Sequence, residues 1–288
     1  MKKITFMETV ITYFSTIPSV HRSIILASGI AFFWLLEDVN PSQKMYYSKW
    51  RHAGINLFFT MTTIIVNFCL AFVLLQVSAW TTTNNFGLLQ FLPSINFWVF
   101  TTVGLLLMDF IGAYLPHYVQ HNLKFLWRFH LVHHTDTFVD ATTANRHHPT
   151  ESVIRFLFTA LAVLIIGAPM WLVFLYQTLS IIATQFTHAN IGLPRKIDKI
   201  LSYILVSPDM HKVHHHYVLP FTDSNYGNIF SVWDRIFGTF KRLDRTKVVF
   251  GVDTYQLSSE NNELGNLLKI PFQKTRFSDE MQSKKNSK

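Results

Sequence analysis

Apolar residues along this chain fall into four long blocks: Ser23 to Leu36, Ile55 to Trp80, Phe91 to Leu115 and Val153 to Phe186. The first sits between Arg22 and Glu37. The second and third are each long enough to cross a bilayer with some tilt. The fourth is longer than one crossing needs and is broken at Gly167-Ala168-Pro169. Its first arm, Val153 to Ile166, would make about 20 Å of helix at ~1.5 Å per residue. A single crossing there would leave His188 and His211 on the opposite side from His117 to His148. The block is therefore expected to be a hairpin that returns the chain to its starting side, whether or not it fully crosses. The pattern predicts an all-α fold: a polytopic membrane helical domain of about four spans or hairpin arms.

Composition strengthens that reading. Of 288 residues 49% are hydrophobic and only 15% charged, with 27 Phe and 7 Trp, and the mean hydropathy is +0.23. So little charge does not suit a soluble surface, whereas aromatics suit spans and their interfaces. Thr81 to Leu89 carries no charge, while Lys44, Lys49 and Arg51 precede the hairpin around it and Lys124 and Arg128 follow. The positive-inside rule puts those flanks on the cytoplasmic side. It also accounts for the net charge of +8. A nucleic-acid partner would require a basic face with interleaved polar groups, which the sequence lacks. Cys69, the only cysteine, excludes an intrachain disulfide and a multi-thiolate metal site. The N-terminal run is interrupted by Glu8 and has no small-residue cleavage site, so no removable leader is expected. After Arg195 the chain is polar apart from Ile200 to Val206. Residues 1–259 are expected to form one membrane domain and residues 260–288, rich in Asn, Ser, Lys and Gln, a flexible tail.

The chemistry lies in the histidines. Twelve of the 14 fall between His117 and His216. His117 and His121 are four apart. His130, His133 and His134 form HxxHH, as do His211, His214 and His215, and His188 stands between these motifs. Residues three and four apart share one helix face, so each HxxHH points its rings at one centre or two adjacent ones. Neighbouring histidines project about 100° apart on a helix, so His133 and His134 can serve different ions. Nine imidazoles are too many for one ion and suit two at four or five ligands each, so the motifs predict a dinuclear site. Imidazole accepts Zn, Fe, Cu or Ni. Carboxylates nearby are few (Asp136, Asp140, Glu151), unlike soluble di-iron bundles with Glu-x-x-His pairs or HExxH zinc hydrolases. His21 and His52 stand apart and are expected to be ordinary core or interface residues. His216, third in its run, is expected to face solvent or to support a ligand. His148, before Pro149, is a candidate further ligand or supporting partner.

At these residues the chain resembles the fatty acid hydroxylase/sterol desaturase superfamily, from about Glu37 to Phe240. The matching text is Asp109…Tyr114-x-x-His117-x-x-x-His121, Leu126-Trp127-Arg128-Phe129-His130-Leu-Val-His133-His134, Asn145-Arg146-His147-His148-Pro149, Gln185…His188-Ala-Asn190, Pro208-Asp-Met-His211-Lys-Val-His214-His215, Asn225-Tyr226-Gly227 and Trp233-Asp-Arg-Ile-Phe237-Gly-Thr-Phe240. The resemblance implies two Fe ions that activate O2 against an unactivated C–H bond of a lipid, below a cytosolic histidine-rich helical cap. It implies His117, His121, His130, His133, His134, His188, His211, His214 and His215 as ligands, with His148, Asn190, Asn225, Tyr226 and Asp234 as further ligands or supporting partners. Zn can substitute for Fe in such a site. Two positions depart from the pattern: Tyr118, where many relatives have Arg, and Thr184, where some carry a further histidine.

The expected activity is hydroxylation or desaturation of a fatty acyl, sterol or related lipid. With no GxGxxG or CxxCH motif, electrons are expected from an external ferredoxin- or cytochrome-like donor, supplied by an NAD(P)H-linked reductase. The basic residues Lys212, Lys241, Arg242 and Arg245 offer a docking face for an acidic donor, although positive-inside charge would place such residues there in any case. A membrane metal transporter is the alternative, but its ligands should lie near the bilayer midplane. Here the histidines lie at or beyond the ends of the apolar blocks. A zinc membrane hydrolase needs an open coordination position and a general base, for which nine imidazoles leave little room. The expected location is a bacterial inner membrane, with the cluster facing the cytoplasm.

Overall fold

The computed structural model describes residues 5–92 and 95–276. Among them there is no strand, only isolated bridges such as His216 with Phe250. The order is α1 (Phe6–Ser15), α2 (Ser19–Val39), α3 (Lys49–Thr83), α4 (Phe97–Asp109), α5 (Leu115–Asn122), α6 (Lys124–His134), α7 (Pro149–Ile166), α8 (Met170–His188), α9 (Arg195–Leu201), α10 (Pro208–His214), α11 (Val232–Ile236), α12 (Ser258–Asn261) and α13 (Leu264–Lys269). Five stretches are long and apolar enough to cross a bilayer: Ser19–Val39, Lys49–Phe91, Phe97–Asn122, Pro149–Ile166 and Met170–His188. They correspond to the four apolar blocks, with the fourth divided in two. The chain is an integral membrane protein.

α3 is about 52 Å long at ~1.5 Å per residue, well beyond a ~30 Å hydrocarbon core. Its first turns carry His52 and Asn56 into a buried polar layer, while Phe68 and Phe72 further along are largely exposed, as suits lipid contact. α4 and α5 form one span joined by a single π-turn at Phe110–Tyr114. Such a bulge rephases the helix and recurs beside functional sites; His117 follows three residues later.

The break at Gly167-Ala168-Pro169 is a helix reversal. Gly167 ends α7 in the left-handed conformation, φ +69°, which a residue without Cβ adopts without cost. α7 starts beside the histidines, where Glu151 bonds His130, and α8 ends on His188. The two helices thus leave the cap and return to it. At the far end Ser78 donates to the Ala168 carbonyl (2.8 Å) and Gln90 to the Gly167 carbonyl (2.7 Å), and Leu74, Met108, Val163, Ile166 and Leu172 form the main core.

The short helices α6 and α9–α13 make the cap. Ser207 caps α10 through the Met210 N–H (3.3 Å), with Pro208 in its first turn. The packed part of the chain also extends past residue 260. α12 spans it and α13 follows, and Leu267 and Ile270 are buried against Phe59, Leu131 and Val132. The expected tail boundary therefore falls inside packed structure, because apolar residues at helical spacing sit among the polar ones. Residues 277–288 lie outside the described residues.

Candidate metal centre

Two buried groups of imidazoles lie side by side. The first comprises His117, His121, His130, His134 and His214; the second, His133, His188, His211 and His215. Within each, one ring nitrogen per residue lies within 4.8 Å of every other. The two groups contain all nine histidines singled out in the sequence. Adjacent histidines part company: His133 and His134 fall in different groups, as do His214 and His215. α5 supplies His117 and His121 from one face, α6 spans both groups, α8 delivers His188 as its last residue, and α10 supplies His211 and His214 with His215 as its C-cap.

Ring orientation reveals what these groups suit. His117 Nδ1 donates to the Tyr226 carbonyl (2.9 Å), His188 Nδ1 to the Thr184 carbonyl (2.8 Å) and His214 Nδ1 to the Ser224 carbonyl (2.6 Å). A carbonyl only accepts, so each Nδ1 carries the proton and the neutral ring keeps its lone pair on Nε2. His130 Nδ1 and His121 Nδ1 are held likewise by Glu151 (2.8 Å) and Asp223 (3.0 Å). The Nε2 atoms then face one another. His188 Nε2 lies 3.1 Å from that of His133, 3.0 Å from His211 and 3.2 Å from His215. His134 Nε2 lies 3.2 Å from those of His121 and His130. Ligands ~2.0–2.1 Å from one metal ion, at ordinary coordination angles, sit about 2.9–3.4 Å apart. The buried His117 and His214 Nε2 atoms have no hydrogen-bond partner among the described residues. Converging lone pairs without donors between them suit a cation in each group.

Burial first, and neighbouring rings second, push His130, His133, His134, His211 and His214 well below the ordinary imidazole range. Neutral imidazole is the ligating form. The group without an extra histidine at Thr184 has four imidazoles and the other five. Thr184 instead receives His188 Nδ1 on its carbonyl and donates its hydroxyl to Asn228 (2.8 Å).

The supporting residues divide. Asp234 accepts from the Tyr226 N–H (2.7 Å), the Gly227 N–H (2.9 Å) and the Thr239 hydroxyl (2.7 Å), which fixes the carbonyl that orients His117. Burial raises its pKa to about 6 against those bonds. Asn225, at φ +55°, donates to the Met210 carbonyl (2.8 Å) and so ties the α10 backbone down. Asn190 bonds both backbone groups of Gln43 (3.0 and 2.8 Å) and makes no hydrogen bond to a histidine of the groups among the described residues. His148 lies outside both groups, accepting from the Thr150 N–H (3.2 Å) to cap α7 and packing on Phe129 and Phe272. Its neighbour His147 is the one beside the site, its ring centroid 5.0 Å from that of His133. His216 is buried and accepts from the Val249 N–H (3.0 Å), outside both groups and away from solvent.

Beneath the site lies a second polar layer. His52 bonds both Asp136 oxygens (2.8 and 2.9 Å) and approaches Asp140 (3.2 Å). Buried Arg146 donates to the Val132 carbonyl and to Asn56. His52 and Arg146 hold the Asp136 carboxyl below its usual range although burial opposes this. Of the four cations expected on a docking face, Lys212 is fully buried, its pKa lowered to about 8 by that burial, and Arg245 pairs with Asp209 at 2.6 Å. Of the four, Arg242 is exposed and Lys241 half-buried; Lys212 is enclosed because α10 packs its stem inward alongside its histidines.

Comparison with known proteins matches this region. The model of the fatty acid hydroxylase family covers residues 101–239. The chain is 28% identical over 144 residues to an ornithine lipid hydroxylase of Rhizobium tropici, covering 50% of this chain and 42% of the relative. It is 30% identical over 142 residues to an alkylglycerol monooxygenase of Danio rerio, covering 49% of this chain and 30% of the relative. A cholesterol 25-hydroxylase-like protein of Danio rerio is 28% identical over 136 residues, 47% of this chain and 53% of the relative. The chain thus spans about half or less of the length of these relatives. No solved structure matches.

Proposed function

We propose that this chain, whose residues 101–239 match the model of the fatty acid hydroxylase family, is an O2-dependent lipid hydroxylase or desaturase of the fatty acid hydroxylase/sterol desaturase superfamily whose two histidine groups each hold an iron ion. The observation that carries this reading is the convergence of nine buried imidazoles in two adjacent groups where membrane helices meet their cap. Imidazole alone does not select iron over zinc; the choice of iron rests on the superfamily. Bound there, the irons would supply O2 activation and oxidation of an unactivated C–H bond, with electrons from a separate donor.

The chain's own residues prepare this chemistry. Tyr226, Thr184, Ser224, Glu151 and Asp223 keep the proton of five rings on Nδ1, which fixes their tautomer and orientation. The cap excludes bulk water, since each of the nine side chains is buried, and a dry site limits side reactions of the oxidant. A cavity between the membrane helices reaches the edge of the site at Ala144 and His147, giving a lipid chain a route in. The positive-inside pattern favours a cytoplasmic cap, where the donor would dock.

The test is expression in a bacterial host under 18O2, with lipid extracts compared by mass spectrometry. The reading predicts a new lipid carrying one 18O or a new double bond, absent without O2 and absent with His214→Ala. Unchanged lipids in cells that accumulate metal-loaded protein would contradict it.

A further inference from the structure

The cavity beside the site has a volume of about 640 Å³ and is lined by both polar and apolar side chains. Three relationships set the direction along α3. Asn56 bonds Thr142 in the cap, Thr63 bonds Ser152 in the first turn of α7, and Ser78 meets the far reversal at Ala168. From the cap outward, α3 lines the cavity first with Thr60, Thr63, Ile64 and Asn67, then with Phe68, Ala71, Leu74 and Leu75. The site end is completed by polar side chains of other segments, Asn145, Ser152, Arg155 and Thr184. Along α3 the polar lining thus lies nearer the histidines and the apolar lining further from them, while Ser19, Arg22 and Ser23 at the start of α2 line the other end.

Arg155 is the notable member. It lies in the second turn of a membrane-crossing helix, its side chain 29% exposed into this space. Its only ion-pair contact among the described residues is Glu151 at 4.0 Å, and that carboxylate oxygen is already bonded by His130. It makes no side-chain hydrogen bond among the described residues. A guanidinium at membrane depth is costly without a partner, and its fork suits a carboxylate or phosphate. Arg22, the other arginine of the lining, is placed differently. It lies in the first turn of its span with its charge over the Phe174 ring at 4.9 Å, the place of an interfacial cation.

We propose that the cavity binds a single-chain amphiphile head-inward, its anionic head on Arg155 beside the metal groups and its tail running toward Phe68 and Leu74. This rests on the oxygenase reading and deepens it: attack would fall on carbons near the head, not at the far end of the tail. Arg155 is a specificity-determining residue that selects the head and sets how far the chain advances.

The test is displacement of a fluorescent fatty acid from metal-loaded, detergent-solubilised protein by hexadecanoate, hexadecyl phosphate and hexadecanol, with metal content measured on each sample. Wild type should bind at least one of the anions roughly tenfold more tightly than the alcohol, and whichever anion binds tighter identifies the head as carboxylate or phosphate. Arg155→Gln should lose that preference at unchanged metal content. Arg155→Lys and Arg22→Gln should largely keep it. No preference in wild type, or a preference that disappears with Arg22→Gln and persists in Arg155→Gln, would overturn the proposal. Because the readout is binding, it stands apart from turnover: a protein that holds the anion at Arg155 but oxidises no lipid would count against the oxygenase reading alone.

Discussion

His130 Nδ1 and Glu151 Oε1 lie 2.8 Å apart, both side chains fully enclosed, linking α6 of the cap to the first turn of α7. The carboxylate holds the proton of the ring on Nδ1, so that Nε2 faces the five-histidine group. Removing such a partner typically costs 10–100-fold in metal affinity or activity. Glu151→Ala should lose that much, and Glu151→Gln, which keeps an acceptor oxygen, should lose less. Metal titration with turnover measured in parallel checks the order; an Ala variant equal to wild type would remove Glu151 from the site.

Asp234 acts on His117 at one remove, through the backbone of Tyr226. Asp234→Asn replaces one of its two acceptor oxygens by an N–H₂ group, which then opposes the backbone N–H that donates there, Tyr226 or Gly227. The expected result is a several-fold loss of turnover with most of the metal retained, read by elemental analysis beside an activity assay. Full activity would mean the Tyr226 carbonyl stays in place without the carboxylate.

His216 ends its run but bonds the Val249 N–H, outside both groups. His216→Ala should therefore retain metal and much of its turnover, while His215→Ala loses one ion. Metal loss in the former with retention in the latter would shift the register of the second HxxHH by one residue.

Arg146 is enclosed by Val132, Asn56 and the Asn261 carbonyl, 3.9 Å from Asp136. Arg146→Met leaves Asp136 with His52 as its only ion-pair partner among the described residues, and breaking a buried pair this way costs about 3–5 kcal/mol. Thermal unfolding in detergent should show a large drop in midpoint; a midpoint within a degree of wild type would show that this layer does not hold the cap together.

Local spacing made the nine histidines legible. HxxHH fixes ring directions on a helix whatever surrounds it, so the motif and the geometry carry the same information. Spacing did not report the distant residues that orient those rings: Asp223 is 102 residues from His121, and Tyr226, 109 from His117, entered only through the resemblance. His147 and His148 show the limit at short range. Adjacent in sequence, they diverge because Pro149 starts a helix, His148 turns back to cap it, and His147 turns toward His133. The hairpin of the fourth apolar block was legible from Gly167 and the demand that the histidines meet. Lys212 was misplaced on a docking face because charge counts do not report which side of α10 packs inward. The packed segment beyond residue 260 was hidden by its composition, in which Leu264, Leu267, Leu268 and Ile270 are outnumbered by polar neighbours.

The central claim is that the nine imidazoles hold two metal ions in separate groups and that these are iron. Elemental analysis of detergent-purified protein, alone and with His134→Ala in one group and His211→Ala in the other, tests it most directly. Two irons per chain in the wild type and about one in each variant is the predicted result. A single ion per chain, or no metal at all, would contradict the two-site account, and two zinc ions that iron cannot displace would contradict the oxygenase.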